Sequence, residues 1–259
     1  MNDFLKINSF KETKKITFFI RNVLRQQDFE NVVIGVSGGI DSAVCLSLLT
    51  KSILPKNIFI AHLSYFIPQT DLINTLLTKV NIPQKNIYNF SIKNIVYQIQ
   101  KELRLIKTSK NYKLRLGNIM ARTRMITLYD LAKKHNALVC GTENKSEERL
   151  GYFTKFGDEA SDFEPIKHLY KTQIYQIAKH LEIPKKIISS IPTAGLWPGQ
   201  TDEKELGFSY KEADRVLSLY FDQKKSIAEI FSQGFSNAKK IISRANKNSF
   251  KHRLPYSCK

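Results

Sequence analysis

The chain has 259 residues, 42% of them hydrophobic, which is enough for one large domain with a sizeable core. It has no run of about 18 apolar residues and no N-terminal apolar segment of the signal-peptide kind, so we expect no membrane span and a cytoplasmic location. The net charge of +18 comes from lysines spread along the chain, which favours a small anionic substrate and predicts no specific nucleic-acid partner.

An amphipathic helix at residues 10–28 is predicted first, followed by alternating strands and helices. The predicted strands are Val32–Val36, Ile58–Ser64, Ile87–Phe90 and Ala137–Cys140. The predicted helices between them are Asp41–Leu54, Asp71–Val80, Lys93–Leu103 and Asn118–His135. This alternation is typical of an α/β fold, with a doubly wound, mostly parallel sheet flanked by helices on both faces.

The pattern changes after Cys140. Two polar stretches without a clear period, Gly141–Lys167 and Pro192–Gly207, are predicted to be long functional loops. Within them we expect residues 144–167 and 194–206 to be mobile lids, because no apolar periodicity indicates burial. The remaining predicted helices are Lys171–Leu181, Pro184–Ile188 and two or three short helices within Tyr210–Asn246.

The three cysteines give no sign of a disulfide framework or a zinc site. Cys45, Cys140 and Cys258 are odd in number and form no C-x-x-C pair. Cys45 falls in an apolar helix pattern and Cys140 in an apolar strand pattern. We therefore predict that these two are small buried hydrophobic residues.

The junction of the first strand and the next helix reads SGGIDS, from Ser37 to Ser42. Ligands of open α/β sheets bind at the carboxyl ends of strands, and a helix N-terminus offers unpaired N–H groups to a phosphate. Gly38 and Gly39 would let the backbone approach that anion closely, and the two serines can donate hydrogen bonds. Asp41, itself an anion, would either cap the helix or hold a magnesium ion shared with the phosphates.

The letters G-x-x-x-x-G-K-[ST] and G-x-G-x-x-G are both absent. An ordinary strand-to-helix turn would explain a lone GG-x-D, but the full SGGIDS resembles the pyrophosphate loop of the ATP pyrophosphatases that form adenylates. The resemblance implies a Rossmann-like, adenine nucleotide alpha hydrolase-like fold, and AMP transfer with release of pyrophosphate. It also implies that ATP contacts Gly35, Val36, Ser37, Gly38, Gly39, Ile40, Asp41 and Ser42.

Four further stretches narrow the family: NIMARTRM (118–125), GTENKSEERLGYFTKFGD (141–158), LYKT (169–172) and PTAGLWPGQTDEKELG (192–207). With SGGIDS, their order and spacing resemble the ammonia-dependent NAD synthetases, and FKHRLP extends the match more weakly to Pro255. We accordingly expect one NAD synthetase domain over residues 1–259. Its parts would be the N-terminal helix, an α/β core at about 31–190 and a helical C-terminal part at about 208–250.

The resemblance also assigns roles to individual residues. Asp41 and Glu147 would hold Mg2+, with Glu148 as the competing choice, and Lys171 would complete the catalytic set. Thr142, Lys171 and Thr193 would contact ATP. The predicted contacts to deamido-NAD are Arg122, Arg124, Lys155, Asp162 and Lys251. In FKHRLP the family often has His where this chain has Phe250 and Arg where it has His252.

The spacing of the two arginines adds one constraint. On a helix Arg122 and Arg124 diverge by about 200°, so only one of them is expected to face a given site directly.

The function implied is ATP-dependent amidation of deamido-NAD to NAD, through an acyl-adenylate, by a ligase that forms a C–N bond. At 259 residues we expect no glutaminase domain, so free ammonia would be the nitrogen donor. The resemblance also implies a homodimer. A tRNA-modifying adenylating enzyme and a non-catalytic nucleotide-binding module remain as alternatives.

Overall fold

The computed structural model describes residues 4–66 and 70–252. Cys258 and the Arg253–Pro255 end of FKHRLP lie outside the described residues. The strands are β1 (Asn31–Gly35), β2 (Ile58–Ser64), β3 (Ile87–Ser91) and β4 (Ala137–Cys140). The helices are α1 (Ser9–Gln26), α2 (Ile40–Ser52), α3 (Thr70–Leu77), α4 (Lys93–Glu102), α5 (Tyr112–His135), α6 (Lys145–Leu150), α7 (Lys171–His180), α8 (Lys185–Ile188), α9 (Asp202–Leu206), α10 (Tyr210–Leu217), α11 (Ile227–Ser232) and α12 (Ala238–Asn248).

The four strands form one parallel sheet in the order β3-β2-β1-β4. Ile34 of β1 pairs with Ile60 on one side and with Cys140 on the other. The chain builds outward from β1 to β3 and then returns to place β4 on the opposite side of β1. Such a reversal creates a crevice beyond the carboxyl ends of β1 and β4, where α/β proteins bind their ligands.

Alternate residues of each strand pack on opposite faces of the sheet. Val32 and Ile34 pack with α1, α2 and α7 in one core, whereas Val33 packs with α4 and α5 in the other. The sheet is therefore covered on both faces, which confirms the predicted fold class. Cys45 and Cys140 are buried free thiols, as predicted.

The C-terminal helices form a third apolar cluster around Val216 and Leu217 of α10. This cluster includes Leu150 of α6 and Tyr170, the residue before α7. The C-terminal part therefore packs against the end of α6 and the start of α7, which lie beyond the sheet's carboxyl edge.

The first loop prediction was wrong in part. Gly141–Lys167 contains helix α6, and residues such as Ser146, Leu150 and Phe163 are buried. The absence of periodicity therefore did not mean an absence of burial, because a helix of six residues is too short to show a period.

The second loop, Pro192–Gly207, also contains a helix, α9.

Helix α5 starts six residues before the predicted Asn118. A glycine inside a helix resembles a helix boundary, but Gly117 has a packing role. A Cβ at Gly117 would lie 2.9 Å from Leu196 Cδ1, so the glycine admits the second loop against α5.

Other helix ends agree with the predictions or differ by at most three residues, as expected where caps fray. Across the described residues no helix is both long and apolar enough to span a bilayer.

Candidate active site

The loop between β1 and α2 obtains its shape from its own hydroxyls and glycines. Gly38 has a positive φ of 87°, a conformation that favours glycine. Ser42 Oγ donates to the Gly39 carbonyl at 3.1 Å and accepts from the Ser37 N–H at 3.3 Å. Gly39 is the N-cap of α2 and supplies no side-chain cap, so the first turn of α2 opens towards the crevice with its amides available to an anion.

Asp41 lies in that first turn and points to neighbours on other elements rather than capping the helix. Its Oδ2 is 2.6 Å from Lys171 Nζ, and its Oδ1 accepts a hydrogen bond from Asn144 Nδ2 at 3.0 Å. Asp41 therefore does not cap α2, which excludes the first of its two predicted roles.

Lys171 begins α7 and is 2% exposed. Its Nζ donates to Glu147 Oε1 at 3.0 Å as well as to Asp41, and it lies 5.2 Å from the centre of the Tyr210 ring. Residues from α2, α6, α7 and α10 thus meet around one ammonium group. We call Asp41, Glu147 and Lys171 the charged cluster.

The position of Glu147 is set by a capping box at the start of α6. Asn144 Oδ1 accepts from the N–H groups of Ser146 and Glu147, and Glu147 Oε2 accepts from the Asn144 N–H. Asn144 was not predicted as a site residue, although the letters N-K-S-E give the capping-box spacing. Glu148 instead faces Arg149 and His252.

Burial and a neighbouring like charge act together on Glu147. Burial, with the neighbouring Asp41, raises the pKa of Glu147 to about 7, although Lys171 acts in the opposite direction. Burial works against the charge of Lys171, but Asp41 and Glu147 raise its pKa well above the usual range. The charged cluster therefore holds a cation between two acidic groups at neutral pH.

The donor set of this cluster fits magnesium. Asp41 and Glu147 supply hard oxygen atoms that already share one cationic group, and Mg2+ is commonly held by one or two carboxylates with phosphates and waters. Over residues 4–66 and 70–252, no three or more His, Cys, Asp or Glu side chains form a group able to hold a metal. An ion here would thus take the rest of its ligands from substrate and water.

The two threonines predicted to contact ATP lie in different settings. Thr142 is half-buried and lies two residues after the end of β4, next to Gly141, whose N–H donates to the Phe163 carbonyl at 2.9 Å. Thr193 is exposed, and its hydroxyl accepts from the Gly195 N–H at 3.1 Å. Thr142 therefore lies at the crevice, while Thr193 lies in the second loop.

The two arginines of α5 diverge as their spacing predicted. Arg124 Nε donates to the Leu63 carbonyl near the carboxyl end of β2 at 3.1 Å, and burial lowers its pKa. Arg122 is exposed and donates to the Lys155 carbonyl at 3.1 Å. Only Arg124 approaches the carboxyl edge of the sheet through these contacts.

Two of the remaining predicted substrate residues, Lys155 and Asp162, lie in the segment that joins α6 to α7, and the third, Lys251, contacts that segment from the C-terminal part. Asp162 Oδ2 accepts from the Val139 N–H at 2.7 Å, which attaches this segment to β4. Lys251 Nζ donates to the carbonyls of Gly151 and Phe153 at 2.6 and 2.7 Å. The ammonium of Lys155 lies 5.1 Å from the centre of the neighbouring Phe156 ring.

Comparison with known proteins places this geometry in a family. The family model for NAD synthase matches residues 12–255. The chain belongs to the NAD synthase family. Its fold and the predicted family resemblance are thereby confirmed.

Relatives match the chain over nearly its full length. The NH(3)-dependent NAD(+) synthetase of Fusobacterium nucleatum is 36% identical over 260 residues, covering 98% of both chains. A solved NMN synthetase from Francisella tularensis is 32% identical with a TM-score of 0.82, covering 98% of this chain and 99% of its own. The NH3-dependent NAD synthetase of Campylobacter jejuni, solved with nitrate, is 29% identical with a TM-score of 0.79, covering 98% and 100%.

Proposed function

We propose that the chain amidates deamido-NAD to NAD with ammonia and ATP, releasing AMP and pyrophosphate. The observation that carries this proposal is the charged cluster beside the SGGIDS loop, in a member of the NAD synthase family. The loop amides offer hydrogen-bond donors to phosphate, and the cluster places a cation and two carboxylates where a magnesium–pyrophosphate group would leave.

The chemistry divides into two displacements. The nicotinate carboxylate is a poor acceptor for ammonia because it has no leaving group. In the first displacement its oxygen attacks the α-phosphorus of ATP, a new P–O bond forms and the bond to pyrophosphate breaks. In the second, ammonia attacks the acyl carbon, the C–O bond to AMP breaks and the nitrogen loses a proton.

The protein's part in both displacements is positioning and charge neutralisation. Asp41 and Glu147 would hold Mg2+, which when bound offsets the negative charge of the departing pyrophosphate. Lys171 and the loop amides would contact the phosphates. Thr142 and Thr193 would contact the rest of ATP.

The nicotinate end would lie towards α5 and the segment between α6 and α7. Arg124 is the arginine better placed for it, because its guanidinium lies at the carboxyl end of β2. The segment between α6 and α7 would bring the other predicted residues to the substrate: Arg122, Lys155, Asp162 and Lys251. Hydrogen bonds of Arg122, Asp162 and Lys251 hold this segment in place.

A mononucleotide is the second candidate substrate. The Francisella relative is described as an NMN synthetase, and an amidation that yields NMN acts on the corresponding nicotinate mononucleotide. Both acceptors present the same carboxylate to ATP, so the proposed chemistry is unchanged.

The test is product analysis with ATP, Mg2+, ammonium and one acceptor at a time. We expect AMP and pyrophosphate in equal amounts with the amidated product when deamido-NAD is supplied. Faster turnover with nicotinate mononucleotide would reassign the acceptor. ADP and phosphate as products, or stimulation by tRNA and not by either acceptor, would overturn the proposal.

We also propose that the chain acts as a homodimer. Six of the exposed large apolar side chains fall between residues 95 and 126, on α4, α5 and the turn between them: Ile95, Tyr97, Leu103, Ile106, Leu114 and Ile126. Exposed apolar side chains are typical of a protein–protein contact where they come together on one surface, so α4 and α5 are the proposed contact surface.

A further inference from the structure

A buried carboxyl group outside the proposed chemistry lies behind the charged cluster. Asp214, on α10, has no exposed surface. Its Oδ1 accepts a hydrogen bond from the Ser146 hydroxyl, and its Oδ2 accepts one from the Thr172 backbone N–H at 2.7 Å. Burying a carboxyl group is unfavourable unless it is hydrogen-bonded, so these two contacts hold α10 tightly to α6 and α7.

The same contacts reach the backbone beside two cluster residues. Ser146 immediately precedes Glu147, and Thr172 immediately follows Lys171. The Ser146 hydroxyl also accepts from the Lys171 backbone N–H at 2.8 Å. One carboxyl group and one hydroxyl therefore connect the start of α6 directly to the start of α7.

We propose that Asp214 is a positioning residue for adenylate formation, and that it acts by fixing the starts of α6 and α7 relative to each other. Their relative position sets the 3.0 Å contact between Glu147 Oε1 and Lys171 Nζ. This inference rests on the proposed function. It makes α10 part of the active site, although Asp214 contacts neither the ammonium nor the two carboxylates of the cluster through its hydrogen bonds.

A second aspartate provides a matched control. Asp222 ends the π-helical turn Ser218–Asp222 that follows α10. Its carboxylate accepts from Lys145 Nζ at 2.8 Å and from the Tyr170 hydroxyl at 2.9 Å. Asp222 therefore joins the same two helices to the C-terminal part, but through the side chains of Lys145 and Tyr170 and not through the Ser146 hydroxyl, and its own carboxylate is partly exposed.

The two aspartates predict different kinetics. In Asp214→Asn the amide oxygen can accept from only one of the two donors. If it accepts from the Thr172 N–H, the amide nitrogen faces Ser146 Oγ, and the Ser146 hydroxyl loses the carboxylate oxygen to which it donates. In Asp222→Asn the hydrogen bond from the Ser146 hydroxyl to Asp214 and the one from the Lys171 N–H to Ser146 both remain. A residue that only stabilises the fold would lower the melting temperature and leave the kinetics of the folded enzyme unchanged.

The experiment measures kcat, KM for ATP and KM for deamido-NAD, at a temperature below the unfolding transition of every variant. We expect Asp214→Asn to lower kcat about tenfold or more, while KM for deamido-NAD stays within about twofold. Asp222→Asn should keep kcat within about twofold of wild type. Ser146→Ala, which removes only the linking hydroxyl, should lower kcat in the same direction as Asp214→Asn, and it decides the outcome if the aspartate variant does not fold.

An Asp214→Asn enzyme that melts earlier but keeps wild-type kcat and KM would overturn the inference and leave the proposed function intact. Equal losses of kcat in the Asp214 and Asp222 variants would also overturn it, because the effect would then belong to C-terminal packing in general. A wild-type enzyme without turnover would overturn both the inference and the proposed function.

Discussion

Glu147 and Glu148 are adjacent in the chain but face different partners. Glu147 contacts Lys171, whereas Glu148 faces Arg149 and His252. We predict that Asp41→Asn and Glu147→Gln each lower kcat about 100-fold or more, because each removes a charge that would hold magnesium. Glu148→Gln should stay within about twofold of wild type, and circular dichroism should show all three variants folded. The reverse ranking of the two glutamates would mean that Glu148 is the ligand.

A second residue-scale prediction concerns Glu143, which lies beside Thr142 and 3.1 Å from Lys167. Burial raises the pKa of Glu143 to about 9, even though Lys167 lowers it. The folded state therefore holds a proton that the unfolded state loses near the ordinary pKa, so this group makes stability fall as pH rises from about 4.5 towards about 9.

Replacing Glu143 by Gln should remove this loss of stability at high pH, because glutamine does not ionise. We expect Glu143→Gln to melt higher than wild type at about pH 8.5 and to differ much less at about pH 5. Glu229, whose pKa is lowered by hydrogen bonds from Ser226, is the control with the opposite sign. A constant difference between Glu143→Gln and wild type across this pH range would show that Glu143 is ionised in the folded protein.

Single residues differ in how far the sequence reveals them. Asp41 is visible because the SGGIDS letters are local and specific. Asn144 was detectable in principle from its capping-box spacing. Asp214 carries no local signal, since its role arises only when α10 packs behind α6 and α7. The parts of the candidate site contributed by distant helices therefore could not be predicted from the sequence.

At the scale of elements, the capping box of α6 links helix stability to the site. Asn144→Ala should destabilise the protein by about 1 kcal/mol through loss of the cap, and it should also lower kcat because Asn144 donates to Asp41. Ser226→Ala removes the capping box of α11 and is the matched control. We expect it to have a similar cost in chemical denaturation but unchanged kinetics. Equal kinetics for both variants would mean that the Asn144–Asp41 contact does not matter for turnover.

Elements with strong patterns were predicted well, and short ones were not. β2 and β4 begin and end at the predicted residues, because buried apolar runs bounded by polar residues are distinctive. Helices α6 and α9 have six and five residues, so tertiary contacts rather than periodicity define them. The start of α5 was predicted after Gly117, too late in the chain. The packing role of this glycine depends on Leu196, which is distant in sequence.

At the scale of the whole molecule, the alternation of strands and helices in the sequence predicted a sheet with helices on both faces. It did not predict how the C-terminal helices pack beside the carboxyl edge of that sheet. The order β3-β2-β1-β4 brings the ends of β1 and β4 together, and that places Asp41 and Thr142 at one crevice. α10 then supplies Tyr210 and Asp214 from more than 150 positions away along the chain from Asp41. This packing depends on shape complementarity between apolar clusters, which cannot be read from a single sequence.

The proposed homodimer is testable through the exposed apolar side chains between residues 95 and 126. Leu114 and Ile126 on α5 are 57% and 61% exposed, and burying them against a second copy would remove them from water. Light scattering after gel filtration should give twice the chain mass of 29.9 kDa for the wild type. Leu114→Lys and Ile126→Lys should each shift the protein towards monomer, because an interface that buries a lysine loses apolar contact and gains a desolvated charge.

Phe231, on α11, is 62% exposed and lies outside this region, so Phe231→Lys is the control and should remain dimeric. Melting temperatures of the lysine variants, compared at equal concentration, separate loss of the dimer from loss of the fold. A wild type that stays monomeric at all concentrations, or a Phe231→Lys variant that dissociates while both α5 variants stay dimeric, would rule out α4 and α5 as the contact surface.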